Sequence, residues 1–280
     1  MNSIFTVIGK EHLSVARKFF LILAVTKLRF KRFIVNRTNL LDKSTASFLG
    51  YKIKVGNYND FYWTFQEIFI DEDYYFKTET DEPFVVDCGA NIGMNIFYTN
   101  WIYPGAKFLA FEIEPENIDI LKNNLESNGL TARVNLVEKA VGSEEGSMTL
   151  YGGRRAGTIS KSLIDEQVKK DNSYASNKFE VSVTKLSNYI DKKIDFIKMD
   201  IEGAESMVIK DLSINKKLNF VNKLTMEYHL FSSDENKLSE IISFMEKDFN
   251  YIFPAKFNSL EEIKRTYYNF MIRFGKKQSS

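Results

Sequence analysis

Cysteine occurs once, at Cys88, and histidine twice, at His12 and His229. A single thiol excludes an internal disulfide, which fits a reducing compartment such as the cytoplasm. So few histidines and cysteines leave no cluster for a zinc site. Cys88 reads more simply as a small buried filler than as a reactive thiol. No apolar run approaches the ~20 residues that a bilayer-spanning helix needs. The run at 19–25 is followed by Lys27, Arg29, Lys31 and Arg32, where a signal peptide would carry small residues. Internal repeats and low-complexity stretches are missing. The net charge of only +1 gives no global reason to expect a nucleic-acid partner.

What is present suits a folded domain. The chain has 280 residues, 44% of them hydrophobic, enough for one α/β domain with a sizeable core plus an extension. The near-zero net charge hides an asymmetry: residues 1–41 carry eight Lys/Arg against the single acid Glu11. We therefore divide the chain into a basic amphipathic extension, 1–48, and a main domain, 49–280. Over 12–37, Val15, Phe19, Ile22, Leu23, Thr26, Phe30 and Phe33 recur at helical spacing, among Arg17, Lys18, Lys27, Arg29, Lys31, Arg32 and Arg37. The simpler expectation is that this apolar face packs on the domain or on a second subunit. The other is peripheral contact with an anionic membrane, at the inner membrane surface of the cell.

The most informative stretch is 84–93. Phe84, Val85 and Val86 read as a buried parallel strand, Asp87 stands at its end, and Gly89-Ala90-Asn91-Ile92-Gly93 forms a turn before a helix. Strand, glycine turn and helix make the first unit of a nucleotide-type sheet. Asn91 and Met94 stand where a dinucleotide fingerprint has glycines, and Asp87 would repel a pyrophosphate. A ligand with an ammonium and a sulfonium, such as S-adenosylmethionine, suits that carboxylate better than NAD does.

Three ordered motifs are Asp87-x-Gly89-Ala90-Asn91-x-Gly93, Phe-Glu-Ile-Glu-Pro at 111–115, and Ile-Lys-Met-Asp-Ile-Glu-Gly-Ala-Glu at 197–205. Together they resemble the FkbM family of S-adenosylmethionine-dependent methyltransferases, from about Glu67 to His229 and more loosely beyond. The resemblance implies a class I methyltransferase Rossmann-like α/β fold: a seven-stranded, mostly parallel sheet with helices on both faces. It implies a cytoplasmic O-methyltransferase acting on a hydroxyl, of a sugar in a surface glycan or glycolipid, or of a secondary metabolite. It places Asp87, Gly89, Ala90, Asn91, Gly93, Glu112, Ile113, Lys139, Ala140 and Asp200 around the cofactor. Glu112, about 20 residues past the turn, would meet the ribose diol, with Glu114 as its rival.

On the acceptor side we expect Lys198, Asp200, Glu202, Glu227 and His229, at the ends of the fourth and fifth sheet strands. His229 would serve as base, oriented by Glu227, since imidazole near its ordinary pKa can take a hydroxyl proton. Lys198 and Asp200 could be a buried structural pair, a proton relay or half a cation site. Asp200, Glu202 and Glu227 could hold a divalent cation, although the spacing does not require one.

Other stretches carry bland expectations. In the lead-in, 49–82, residues 49–55 read as a strand and 61–69 as a helix. Tyr62, Trp63, Tyr74 and Tyr75 read as core, or as aromatics that cap the cofactor or stack on a sugar. Asp71, Glu72, Asp73, Glu79, Asp81 and Glu82 read as a solvated loop, and His12 as surface. A long insert at about 152–178, with Arg154, Arg155, Thr158 and Ser160, reads as an acceptor lid. Two late strands, 251–253 and 268–274, would close the sheet.

Three rivals remain. A nucleic-acid methyltransferase would want a basic groove, yet residues 42–280 are net acidic and lack an Asn/Asp-Pro-Pro-aromatic motif. An oxidoreductase is disfavoured by Asp87, Asn91 and Met94. A non-catalytic S-adenosylmethionine-binding interaction protein would not need the strand-end cluster.

Overall fold

The computed structural model describes residues 2–38, 40–152, 177–231, 238–253 and 267–277. The chain opens with a short helix α1 (Asn2–Ile8) and a long helix α2 (Val15–Val35), capped by the Ser14 hydroxyl accepting from the Arg17 N–H. A hairpin of β1 (Thr45–Phe48) and β2 (Tyr51–Lys54) follows. Helix α3 (Tyr58–Phe65) then continues into a π-helical turn, Gln66–Asp71. The alternating part begins with β3 (Phe84–Cys88), α4 (Met94–Ile102), β4 (Lys107–Phe111), α5 (Pro115–Ser127) and β5 (Val134–Val137). Next come β6 (Ala140–Gly142), β7 (Gly146–Gly152) and β8 (Asn177–Lys185), which form a small separate sheet. The chain returns through β9 (Phe196–Met199), α6 (Glu205–Ile214), β10 (Lys223–Phe231), α7 (Leu238–Met245), β11 (Phe249–Ile252) and β12 (Tyr267–Lys276).

The main sheet runs β5-β4-β3-β9-β10-β12-β11, and only β12 runs against the others. In order of appearance this is 3-2-1-4-5-7-6, the class I methyltransferase arrangement. The order reverses between β3 and β9, and in open α/β sheets ligands bind outside the strand C-termini at such a switch point. Asp87, Lys198 and Thr225 sit in register across β3, β9 and β10. Side chains alternate along strands, so Asp87, Lys198, Glu227 and His229 share one face. Val86, Cys88, Ile197, Met199, Met226 and Tyr228 point to the other, where they pack with Val208, Ile209 and Leu212 of α6.

The N-terminal segment belongs to the same body. Val7, Leu13, Leu21 and Leu28 join one core with Phe65, Phe97 and Phe108. The boundary at residue 48 falls between the two paired strands of the β1–β2 hairpin. Residues 49–55 do not form one strand, because Leu49 (φ +48°) and Gly50 (φ +88°) make the turn of that hairpin. Helix α2 presents Leu21, Ala24, Val25, Leu28 and Val35 to the core. The stripe Val15, Phe19, Leu23, Phe30 and Phe33, for which packing on the domain is one of the expectations, lies exposed. No helix among the described residues is long and apolar enough to cross a membrane.

Two local expectations are corrected here. Glu72 is buried rather than solvated: it pairs with Lys10 at 2.8 Å and accepts from the Tyr98 hydroxyl at 3.0 Å. His12 also reaches Glu72, at 3.0 Å, and stacks on Tyr75. The N-terminal segment thus neutralises an acid that local composition assigned to water. Of the expected insert, only its edges belong to β7 and β8; Arg154, Arg155, Thr158 and Ser160 lie outside the described residues.

Candidate active site

The turn after β3 is held shut by its own amides. The N–H groups of Gly89 and Ala90 both donate to the Phe111 carbonyl, and that of Gly93 to Ala90. The Ile92 N–H donates to the Asn91 side chain, and the Asn91 N–H to Glu112 Oε2 at 2.7 Å. A pyrophosphate cradle needs such donors turned outward. Here every amide from Gly89 to Gly93 is already engaged, which is the structural reason the turn does not suit a dinucleotide. Glu112 accepts further from the Ile113 and Glu114 N–H groups, each at 2.8 Å. It stands at the end of β4, as expected for a ribose partner, but most of its lone pairs already brace the turn.

Lys198 is the buried cation at the centre. Its ammonium lies 3.6 Å from Asp87 Oδ1 and 3.4 Å from Asp200 Oδ2, and donates to the Gly89 carbonyl. Burial opposes its charge, but Asp200 and Asp87 outweigh that and hold its pKa above the ordinary lysine value. Burial raises the Asp87 carboxyl, while Lys198 and the Asn95 amide, 3.2 Å from Oδ2, pull it back. Asp87 is fully buried and does not face the ligand space, so its expected direct contact with a cofactor is not seen. Lys198 and Asp200 form an ion pair that extends to Asp87.

In front of this pair lies a cleft of about 500 Å³, within the usual range for small-molecule sites. Gly89, Ala90, Asn91, Lys198, Asp200 and Glu227 line its sheet side, α3 with its π-turn supplies Asp60 and Glu67 opposite, and Tyr74 follows just beyond the turn. Among the described residues, five carboxyl groups face it, those of Asp60, Glu67, Asp73, Asp200 and Glu227, against the cation of Lys198. Crowding shows in their acidity. Burial, with Asp73 and Asp200 adding, pushes Glu67 up to about 7. Burial and then Asp200 push Glu227 up to about 8, with His229 and Lys198 opposing. Asp73, placed in a solvated loop by the sequence, is raised to about 6 by burial. Asp200 Oδ1 is buried and accepts no hydrogen bond among the described residues.

His229 sits behind this wall. The ring is fully buried, so it does not meet an acceptor directly, as a base would have to. Its Nδ1 is 2.9 Å from the buried Glu205 at the start of α6, and its Nε2 is 3.5 Å from Glu202 and 4.0 Å from Asp200. Burial disfavours its charge, yet the Glu205 hydrogen bond, Glu202 and Asp200 prevail and raise its pKa to about 9. Near pH 7 the ring therefore holds its proton, contrary to the expected poised base. Glu227, expected to orient it, is the residue that reaches the cleft.

The other expected residues divide. Gly93 packs against Leu121 and Phe97 rather than lining the cleft. Ile113 and Ala140 meet in an apolar patch with Val181 and Val183, next to Glu112 in sequence. Lys139 precedes that patch and is half-buried. Among the lead-in aromatics, Tyr62 is core and Trp63 is exposed, while Tyr74 is both buried and part of the cleft wall. Sequence reasoning missed Asp60, Glu67, Asp73 and the support by Glu205. Only the density of acids at 67–73 hinted at them.

Comparison with known proteins fits this geometry. The sequence profile of the methyltransferase FkbM domain matches residues 87–253. The methyltransferase sdnD of Sordaria araneosa is 33% identical over 52% of this chain and 66% of its own length. Methyltransferase 1 of Beauveria bassiana (strain ARSEF 2860) is 29% identical over 52% of this chain and 65% of its own. The chain thus spans just under two thirds of either relative. A solved methyltransferase FkbM from Methylobacillus flagellatus KT aligns with a TM-score of 0.48 and 19% identity, over 71% of this chain and 45% of that one. The profile runs from the end of β3 through β11, more than half of the chain, and the chain belongs to the FkbM methyltransferase family.

Proposed function

We propose that this chain is an S-adenosylmethionine-dependent O-methyltransferase whose acceptor is a neutral polyhydroxylated molecule, a sugar of a glycan or glycolipid or a related metabolite. The observation that carries the reading is the acidic cleft, five carboxyl groups to one cation among the described residues. Such a wall favours a ligand bearing an ammonium and a sulfonium, and repels phosphates. Hydroxyl groups donate to carboxylates, so a polyol suits the same wall. A nucleic-acid backbone does not.

Bound S-adenosylmethionine would supply an electrophilic methyl group on a sulfonium. Gly89, Ala90 and Asn91 would receive it along the turn, Glu112 the ribose, and Ile113 with Ala140 the base. Lys198 holds the Gly89 carbonyl and so fixes the turn. Tyr74 and α3 cover the opposite side and restrict water. Glu227 is the group we assign to accept the hydroxyl proton, because it lines the cleft and its raised pKa makes its ionised form a stronger base than an ordinary carboxylate. His229, held by Glu205 and Glu202, and Lys198 offset its negative charge.

The sign of the pH dependence follows. Below about 8 the Glu227 carboxyl keeps its own proton and cannot take another. Methyl-transfer rate at saturating acceptor is expected to rise toward pH 8–9, and Glu227→Gln to lower it by about 10²-fold or more while leaving cofactor affinity within a few-fold. Stopped assays with a radiolabelled methyl group across pH check this. A rate flat from pH 6 to 9 would remove Glu227 from the role.

A second reading has one specific support. Asp200, Glu227 and His229 can each bring a ligand atom to within 4.8 Å of the others. Glu205 on Nδ1 leaves Nε2 facing that group, the arrangement of a carboxylate-backed histidine ligand. A divalent cation there would replace the His229 proton and steady an acceptor oxygen. Activity abolished by a chelator and restored by magnesium or manganese would favour it; activity unchanged by the chelator would exclude it.

A further inference from the structure

We propose that the outer face of α2 is a docking surface for an anionic lipid bilayer, with the helix lying in the plane of the interface. Helix α2 is apolar on two sides. Leu21, Ala24, Val25 and Leu28 seat it on the body, and the opposite side carries Val15, Phe19, Leu23, Phe30 and Phe33 into solvent.

The exposed area is large for a surface at rest. Phe19 (62%), Phe20 (56%), Phe30 (66%) and Phe33 (51%) are all more than half exposed. At ~200 Å² per phenylalanine, these four alone show roughly 450 Å² of apolar surface, as much as the largest patch of a typical soluble monomer, and Val15 (84%) and Leu23 (54%) add to it.

Charge selects the partner. Helix α2 contains no acidic residue, and Lys27 and Arg29 flank the phenylalanine stripe, with Arg37 over the Phe33 ring at its end, while Lys18 donates to the Ile8 carbonyl. Other cations are turned inward: Arg17 reaches the Ile102 carbonyl, Lys31 the Thr45 carbonyl and Arg32 the Asn59 side chain. Lys27 and Arg29 stay on the exposed side. Beside the stripe, a groove lined by Phe20, Leu23, Phe48 and Leu49 has Arg17, Lys27 and Lys52 among its walls. Apolar rings between cations match acyl chains below anionic headgroups. Two copies of this chain meeting through the same face would set these cations against each other with no acid on either helix to pair them. The lipid surface is therefore the better occupant.

The test is flotation of the full chain with vesicles of neutral phosphatidylcholine, and of the same lipid mixed with anionic phosphatidylglycerol. The expected result is binding to the anionic vesicles that weakens with salt and is at least about tenfold weaker on neutral ones. Phe19→Ser with Phe30→Ser should abolish it, and Lys27→Glu with Arg29→Glu should lower it at least about tenfold. Both pairs are exposed, and unchanged circular dichroism and melting would show that the variants remain folded. No binding of the wild-type chain to anionic vesicles overturns the proposal, and so does equal binding to both vesicle types. Sedimentation showing a wild-type dimer that Phe19→Ser with Phe30→Ser converts to monomer would give the face to self-association instead.

Discussion

Lys198→Met is expected to cost about 3–5 kcal/mol of stability, the usual penalty for removing one partner of a buried ion pair, and to abolish cofactor binding. The ammonium is almost wholly buried between Asp87 and Asp200 and also holds the Gly89 carbonyl. Methionine fills similar volume but leaves Asp87 with only Asn95 as partner. The Asp87 carboxyl would then be raised further above its unfolded value. A group raised on folding contributes stability below its unfolded pKa and loses it as pH rises through the folded one. The deficit of Lys198→Met should therefore shrink as pH falls from neutral toward 5. Adding Asp87→Asn should recover part of it, since the two sites form one network. Urea denaturation of the single and double variants at two pH values checks this. A single variant as stable as wild type at pH 7 would mean that the pair does not hold the strand ends together.

Gly89→Ala should be the most damaging small change in the turn. A Cβ there would lie 2.0 Å from the Asp200 carbonyl oxygen, which is backbone and cannot swing away. The residue also sits at φ +80°, where an L side chain costs about 1–2 kcal/mol by itself. Relief requires β9 to draw back from β3, breaking the Asp200 N–H to Cys88 carbonyl bond of 3.1 Å. Together these suggest about 3 kcal/mol or more, a fall in melting temperature of roughly 6–12 °C for a domain of this size. Gly129→Ala is the control. It has φ +67° but nothing within 4 Å of its Cβ, so it should lose only the conformational part. Equal losses in the two variants would show that close approach at Gly89 is not the cause.

Much of the site was legible because strands put their chemistry at their ends. Asp87, Glu112 and Asp200 each close a run of apolar residues, Glu227 falls inside β10, which runs on to Phe231, and period-two alternation puts Lys198, Glu227 and His229 on one face. Partners were not legible, because they depend on packing across distant segments. Nothing near Lys198 in sequence shows that its ammonium reaches the Gly89 carbonyl, or that Glu205, one turn into the next connection, locks His229. Acids 71–73 look solvated by local composition, yet Lys10 and His12, about 60 residues earlier, bury Glu72, while the π-turn aims Glu67 into the cleft. A helix apolar on two sides, such as α2, does not reveal from periodicity which side faces the core. Here the aliphatic side went in and the phenylalanine side stayed out.

The central claim is that the acidic cleft at the ends of β3, β9 and β10 takes S-adenosylmethionine. Calorimetric titration of the wild-type chain with S-adenosylmethionine and with its demethylated product tests it most directly, beside Asp200→Asn and Glu112→Ala. The account predicts micromolar binding of both ligands to wild type, and affinity at least about tenfold lower in each variant, since each loses a charged hydrogen-bond partner. Thermal melts would show the variants folded. A folded wild-type chain that binds neither ligand, or variants that bind as tightly as wild type, would contradict it.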